Sequence, residues 1–318
     1  MTQSDPFEDF GDVAEIARGL HNADAAVRRL AVIDLAETAE PEVVSHLVAG
    51  AEDADAGVRL EIALALSGFD GVETAAGLAR LLTDEDRAVA QAAADGLAEL
   101  KEPAAAAAIL PLTDHEATFV RAEAFRGLKA LRSPAALGAA LAALKDPEAA
   151  VRMQALGVVA YLKLDETLPS LIAATHDPDA TVRATAVSSL SFTSQPAAAT
   201  AVNAALKDVD WQVRAAAAET LGHLGFAPSL DGLLAGLSED FWQVRQKCLN
   251  ALGKLKAQAA VPQIVEQLSS EIALLRKEAA AALGEIAHPS AREALLQHVS
   301  DGDPDVRKTV RWALTRIG

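Results

Sequence analysis

The chain is short of several things a protein of its size usually has. In 318 residues there is one cysteine, three tryptophans, one tyrosine and eight phenylalanines. A single thiol cannot close an internal disulfide, so the fold is expected to hold without an oxidising compartment. With aromatics this scarce, the apolar content comes mainly from Ala and Leu. These are small or unbranched helix formers, and they favour closely packed helices over sheets. No stretch reaches about 18 uninterrupted apolar residues, the length a membrane helix needs. The opening Met1-Thr2-Gln3-Ser4-Asp5-Pro6 is polar and acidic, with neither the basic nor the apolar segment of a secretory leader. A cytoplasmic protein with no membrane span is therefore expected.

Positive charge is also scarce. Lys and Arg number 28 against 45 Asp and Glu, a net charge of −17. Nucleic-acid binding relies on basic side chains to neutralise phosphates, so it is disfavoured. Anionic membrane surfaces are disfavoured for the same reason. The imbalance is uneven: residues 1–159 hold 13 basic and 27 acidic residues, whereas residues 160–318 hold 15 and 18. The first half would attract a basic partner or repel polyanions.

What the chain has is a repeat. Val-Arg occurs at Val27-Arg28, Val58-Arg59, Val120-Arg121, Val151-Arg152, Val182-Arg183, Val213-Arg214, Val244-Arg245 and Val306-Arg307. Val89-Ala90 and Leu275-Arg276 fill the gaps, so that the copies recur at a constant period of thirty-one. The units start at residues 9, 40, 71, 102, 133, 164, 195, 226, 257 and 288, after an N-terminal tail of residues 1–8. Each unit reads as two helices. In the second, apolar residues fall at helical spacing from the Val, as in Val213, Ala217, Leu221 and Leu224. In the first they precede it, as in Leu230, Leu233, Leu234 and Leu237. Pro41, Pro103, Pro134, Pro196 and Pro289 stand where a first helix should begin, and Pro147 and Pro178 where a second should. Fixed φ and a missing N–H suit that position. The residue four after the Val is nearly always Ala, which allows close helix approach. A helix pair cannot bury its apolar face alone, so the units must stack into a right-handed α-solenoid of about ten repeats, all-α in class.

An acid five residues before the Val recurs with the Arg after it. The pairs are Asp53 with Arg59, Asp146 with Arg152, Asp177 with Arg183, Asp208 with Arg214, Glu239 with Arg245 and Asp301 with Arg307. This regularity predicts a structural ladder of charge-assisted hydrogen bonds running between adjacent repeats. The unit D-x-(D/E)-x-x-V-R-x-x-A-x-x-x-L resembles the HEAT repeat, and within it the HEAT-like repeat named after phycobilisome lyases, over residues 9–318. The resemblance implies an α-solenoid. It also implies an alternative role, a lyase-like or chaperone-like factor that attaches or inserts a bilin or an iron–sulfur cofactor into a client protein.

The repeat lapses in three places. The third unit has Ala90 for Arg, which leaves Asp84 without an arginine in its own repeat. The fourth has His115 for Asp and Pro111 inside its first helix, where a kink or stop is expected. The ninth has Ser270 for Asp and Leu275 for Val. The second helices are expected to line the concave face. Ten residues past the Val, three consecutive units place Tyr161, Phe192 and His223, a candidate aromatic strip, with Met153, Arg126, Glu219 and Asn250 on nearby rows. Aromatics and Met on an exposed face suit a protein interface. Trp211 and Trp242, two residues before the Val, are expected to pack on neighbouring turns.

Catalytic signals are sparse. The seven histidines form no H-x-x-x-H or H-E-x-x-H, so no metal site is expected. HEAT-like di-iron hydroxylases use several His-Glu pairs, whereas this chain has His115-Glu116 alone. Cys248 occupies the small-residue position and reads as buried. No nucleophile elbow, P-loop or G-x-G-x-x-G is present. The sequence therefore favours a non-catalytic scaffold or assembly factor that binds a partner protein on the concave face and needs no cofactor.

Overall fold

A computed structural model of the protein describes residues 13–228 and 230–318. The tail assigned to residues 1–8 lies outside them. Among the described residues the chain forms twenty α-helices joined by turns, many of them 3₁₀, with no strand. It divides between Leu162 and Lys163 into two compact units. No helix among the described residues is long and apolar enough to cross a membrane.

Short first helices alternate with longer second helices in both units, as Val43–Ala49 and Ala56–Leu66 do in one and Pro196–Ala205 and Trp211–Leu224 in the other. The starts of the second helices follow from chemistry three residues before the Val. There Asp24, Asp55, Asp86, Asp179, Asp210 and Asp303 accept the helix's first free N–H groups. The ends are less conventional. Twelve residues past the Val the backbone turns left-handed, at Ala39, Arg132, Lys163, Gly225, Lys256 and Ala287. Only one of these six is glycine, so the helix stops are almost invisible in the sequence.

The prolines act differently from their expected places. Pro196 opens an α-helix, but Pro103, Pro134 and Pro289 open a 3₁₀ turn that leads into one. Pro41 lies in the turn before Val43–Ala49. Pro147 and Pro178 do not begin second helices, which start two residues later at Ala149 and Ala180. Their carbonyls accept hydrogen bonds from Arg152 and Arg183 instead. At Pro111 the expected stop occurs: the α-helix ends at Ile109 and a 3₁₀ segment, Leu110–Asp114, carries the proline.

In each unit the core runs between the two helix rows. The Val of the motif is buried throughout, except that Val27 is exposed. Ala93, Ala124, Ala155, Ala186, Ala217 and Ala279 are all buried four residues later. Second helices pack on one another more extensively than first helices do. The closest approach lies further along the helix than the sequence suggests. A Cβ on Gly253 would stand 2.9 Å from the Ala282 Cα, and one on Gly222 would stand 3.0 Å from the Ala251 Cα. Helix backbones touch there because neither partner carries bulk.

Candidate partner-binding surface

The ladder exists, but its rungs connect different residues from those expected. Six arginines each grip the acid of the following repeat, 25 residues on, and Arg59, Arg183 and Arg214 do so in place of the acid six residues before them. The rungs are Arg28–Asp53, Arg59–Asp84, Arg121–Asp146, Arg183–Asp208, Arg214–Glu239 and Arg276–Asp301. In each, Nε and Nη2 donate to the two carboxylate oxygens at 2.6–3.1 Å. The third nitrogen, Nη1, donates to two backbone carbonyls in the arginine's own repeat, as Arg59 does to Asp53 and Ala54. The acid of the same repeat thus serves its arginine through its carbonyl, while its carboxylate faces back to the previous repeat. Arg152 is buried with Nη1 on the Asp146 and Pro147 carbonyls, and the Asp177 carboxylate accepts the Asp179 N–H. Asp84 does not lack an arginine, because Arg59 holds it.

The carboxylate also caps its own turn by accepting the N–H two residues on, as Asp53 does from Asp55 and Asp301 from Asp303. With the two lone-pair sets so occupied, arginine hydrogen bonds hold the carboxyls of Asp53, Asp84 and Asp208 below the usual carboxylate range. Arg276 does the same for Asp301, which falls to about 2.

The lapses now have a common logic. Position 115 stands to position 90 as Asp84 stands to Arg59, so Ala90 and His115 are the two ends of one missing rung. His115 keeps the capping half of the role: its Nδ1 accepts the Ala117 N–H at 3.1 Å. At the other lapse, Ser270 occupies the place of the acid that Arg245 would grip. It keeps the cap through its hydroxyl, which accepts the Ile272 N–H at 3.3 Å. Arg245 remains anchored by Nη1 to the Glu239 and Asp240 carbonyls.

On the solvent side of the second helices, the first unit presents exposed apolar side chains that aromatic counting overlooks. Leu30 is 56% exposed, Ile33 38% and Leu64 53%. Arg29 reaches Glu61 beside them at 3.8 Å. A signal is present in the sequence, since these leucines and the isoleucine stand three or six residues past the Val, on rows expected to face solvent. Further along, Arg126 bridges Asp95 and Glu123, and Met153 is half-buried. Tyr161 is 47% exposed, and the Arg132 guanidinium lies 5.2 Å from its ring centre, a cation–π contact.

In the second unit Phe192 ends the 3₁₀ turn Leu190–Phe192 half-buried, whereas His223 and Asn250 are exposed. Glu219 pairs with Lys247 at 2.8 Å. Trp312 flanks a hollow of about 360 Å³ with Lys277, Asp305, Lys308 and Thr309. Trp211 stacks on Phe241 of the next turn, with ring centres 5.3 Å apart and planes 12° from parallel. Trp242 is 37% exposed.

Among the described residues, no group of three or more His, Cys, Asp or Glu could hold a metal ion. Cys248 is buried, with its sulfur in the space that the missing side chain of Gly236 provides. Burial pushes its thiol up to about 12, and Glu239 adds to the effect. It is no nucleophile in this state. A hollow of about 740 Å³ in the first unit lies beside His115, Arg121, Lys145 and Asp146 and is open to solvent.

Comparison with curated proteins gives no match. Among solved structures, an engineered protein is 21% identical over 96% of this chain and 99% of its own, with a TM-score of 0.53. Kap95p, solved with RanGDP, is 14% identical with a TM-score of 0.60, and importin beta 13% with 0.58. Each of these two matches 96% of this chain, which spans about half of their length (48% and 55%). At such identities the likeness is one of fold. The family model of HEAT repeats matches residues 13–89, 76–146, 138–222, 199–273 and 230–315, in keeping with the paired helices and the arginine–carboxylate ladder, and the chain belongs to the HEAT-repeat family.

Proposed function

We propose that this protein is a non-catalytic interaction scaffold that holds a partner protein on the solvent face of its second helices. One observation carries the reading: Leu30, Ile33 and Leu64 stand open on that face, where solubility alone would place polar residues. Tyr161, Phe192, His223, Met153, Arg126, Glu219 and Asn250 are proposed as the further contact residues. The acidity of the first half favours a contacting segment with basic residues around an apolar stripe. The fold likeness to Kap95p, whose structure is described as binding RanGDP, supports a partner of protein class. A cytoplasmic setting is part of the proposal. A cofactor-attachment role, which kinship to phycobilisome-lyase repeats would bring, gains no support from the buried Cys248.

The test is affinity capture from native lysate with three baits: the wild type, a Leu30→Asp/Leu64→Asp variant, and a Tyr161→Ala/Phe192→Ala/His223→Ala variant. A protein retained by the wild type and lost from either variant, with circular dichroism unchanged, supports the face. Identical captures by all three would refute it.

A further inference from the structure

Arg245 is an arginine prepared for a carboxylate that this chain does not supply. In the six rungs described above, the guanidinium is fixed by Nη1 on two carbonyls and directs Nε and Nη2 to an acid in the following repeat. At Arg245 the first half of that arrangement is intact, with Nη1 on the Glu239 and Asp240 carbonyls. The second half has no acceptor: position 270 is serine, and its hydroxyl serves the Ile272 N–H. Among the described residues no carboxylate stands within ion-pair distance of Arg245. The nearby acids are committed or turned elsewhere. The Glu239 carboxylate is held by Arg214, and Asp301 by Arg276. Asp240 and Glu271 lend backbone carbonyls to Arg245 and Arg276, with exposed side chains.

A fixed guanidinium fork binds a carboxylate through two parallel hydrogen bonds, and little side-chain freedom remains to be lost on binding. The surroundings add an apolar element. One turn earlier Trp211 stacks on Phe241 of the following repeat. The same step from Trp242 reaches Ile272, a half-buried aliphatic residue, and leaves the Trp242 indole exposed. The second half of the chain is also the less acidic one, so an incoming anion meets less repulsion there.

We propose that the Arg245 fork is a docking point for a partner protein's acidic side chain, an Asp or Glu flanked by an apolar residue that covers Trp242. The partner's carboxylate completes the rung that Ser270 leaves open. This site lies at the turn end of its helix, and it stands or falls independently of the second-helix face proposed above.

The test uses the full-length chain labelled with ¹⁵N and follows the arginine Nε–H signals. The probe is an acetylated, amidated peptide with one Glu between Leu and Phe in a Gly/Ser frame. Arg307 provides the internal reference. Its Nη1 is likewise on two carbonyls and no carboxylate stands within ion-pair distance of it among the described residues, but Pro304 takes the place that Trp242 holds beside Arg245. The expected result is a saturable shift of the Arg245 signal, with at least tenfold weaker binding of the Gln version of the peptide. Ser270→Asp, which gives the chain its own carboxylate, should abolish the response, and Ser270→Asn should preserve it. A silent Arg245, an equal response at Arg307, or an undiminished response in Ser270→Asp would overturn the proposal.

Discussion

Arg59 and Asp84 face each other across two repeats, with Nε to Oδ2 at 2.6 Å and Nη2 to Oδ1 at 2.9 Å, while Asp53, six residues before Arg59, offers it a backbone carbonyl at 2.7 Å. The two acids therefore differ in how they are coupled to one arginine. A double-mutant cycle should find about 1.5–3 kcal/mol of coupling between Arg59→Ala and Asp84→Asn, the range for hydrogen bonds to charged groups. The cycle with Asp53→Asn should show clearly less, because the carbonyl survives the substitution. Chemical denaturation of the four proteins in each cycle measures both values. Equal couplings would mean that rungs form within repeats after all. Arg183→Ala, which strips Asp208 of its partner, should cost a similar amount.

The ladder also sets the acid limit of the fold. Arginine hydrogen bonds hold the carboxyls of Asp53, Asp84, Asp208 and Asp301 below their ordinary range, Asp301 at about 2. An acid whose folded value lies below its unfolded value of about 4 stabilises the fold above pH 4 or so, and that stability is lost as pH falls toward the folded value. The melting midpoint should therefore change little from about pH 7 to 5 and drop between about pH 4 and 2. Asp301→Asn should melt lower at neutral pH and lose less on acidification. A variant curve parallel to the wild type would sink this account.

Ala90 and His115 belong to one rung, so restoring it requires both ends. Ala90→Arg alone places a cation opposite an imidazole, and His115→Asp alone adds a carboxylate without its arginine. Each should be neutral or mildly destabilising. Together they should be more stable than the sum of the singles by about 1 kcal/mol or more, the signature of a direct interaction. Strict additivity in thermal or denaturant unfolding would show that the two lapses are unrelated.

Much of this architecture is legible in the sequence, and what is not legible shares a cause. The constant repeat period and the Val-Arg pairs specify the all-helical repeat class, because burial must recur wherever the unit recurs. Rung pairing is misleading because sequence proximity favours Asp53 for Arg59, whereas stacking brings in Asp84 from the next repeat. Helix ends are hidden because Ala39, Arg132, Lys163, Lys256 and Ala287 adopt a conformation usually signalled by glycine. The exposed Leu30, Ile33 and Leu64 escape notice because an apolar residue reads as core until its face is known. Trp211 does pack on a neighbouring turn, as its place in the repeat predicts, and the group it meets is Phe241.

Two substitutions test the backbone devices with opposite signs. Gly253→Ala places a methyl 2.9 Å from the Ala282 Cα, an atom that cannot swing aside. It should cost about 1–3 kcal/mol through overpacking, despite the better helix propensity of alanine. Ala287 sits at φ 54° just after the helix Ala273–Ile286. Ala287→Gly should stabilise by about 0.5–1 kcal/mol, since glycine has no Cβ to clash in the left-handed region. Thermal melts of the pair would decide. A stabilising Gly253→Ala would show that adjacent second helices are less tightly apposed than these distances indicate.

Cys248 offers a measurement of the folded state itself. Its side chain is buried, its sulfur fills the space beside Gly236, and its thiol is pushed up to about 12. At pH 8 the thiolate that attacks disulfide reagents is therefore almost absent, and what forms is shielded from solvent. Reaction with an aromatic disulfide reagent should proceed at the rate of opening of this region, rising steeply with denaturant and matching one thiol per chain only on unfolding. Rapid labelling in native buffer, at the rate of a free thiol, would mean that the second helix Trp242–Lys254 exposes its inner face in the folded protein. It would also reopen nucleophilic chemistry at the position where burial now argues against it.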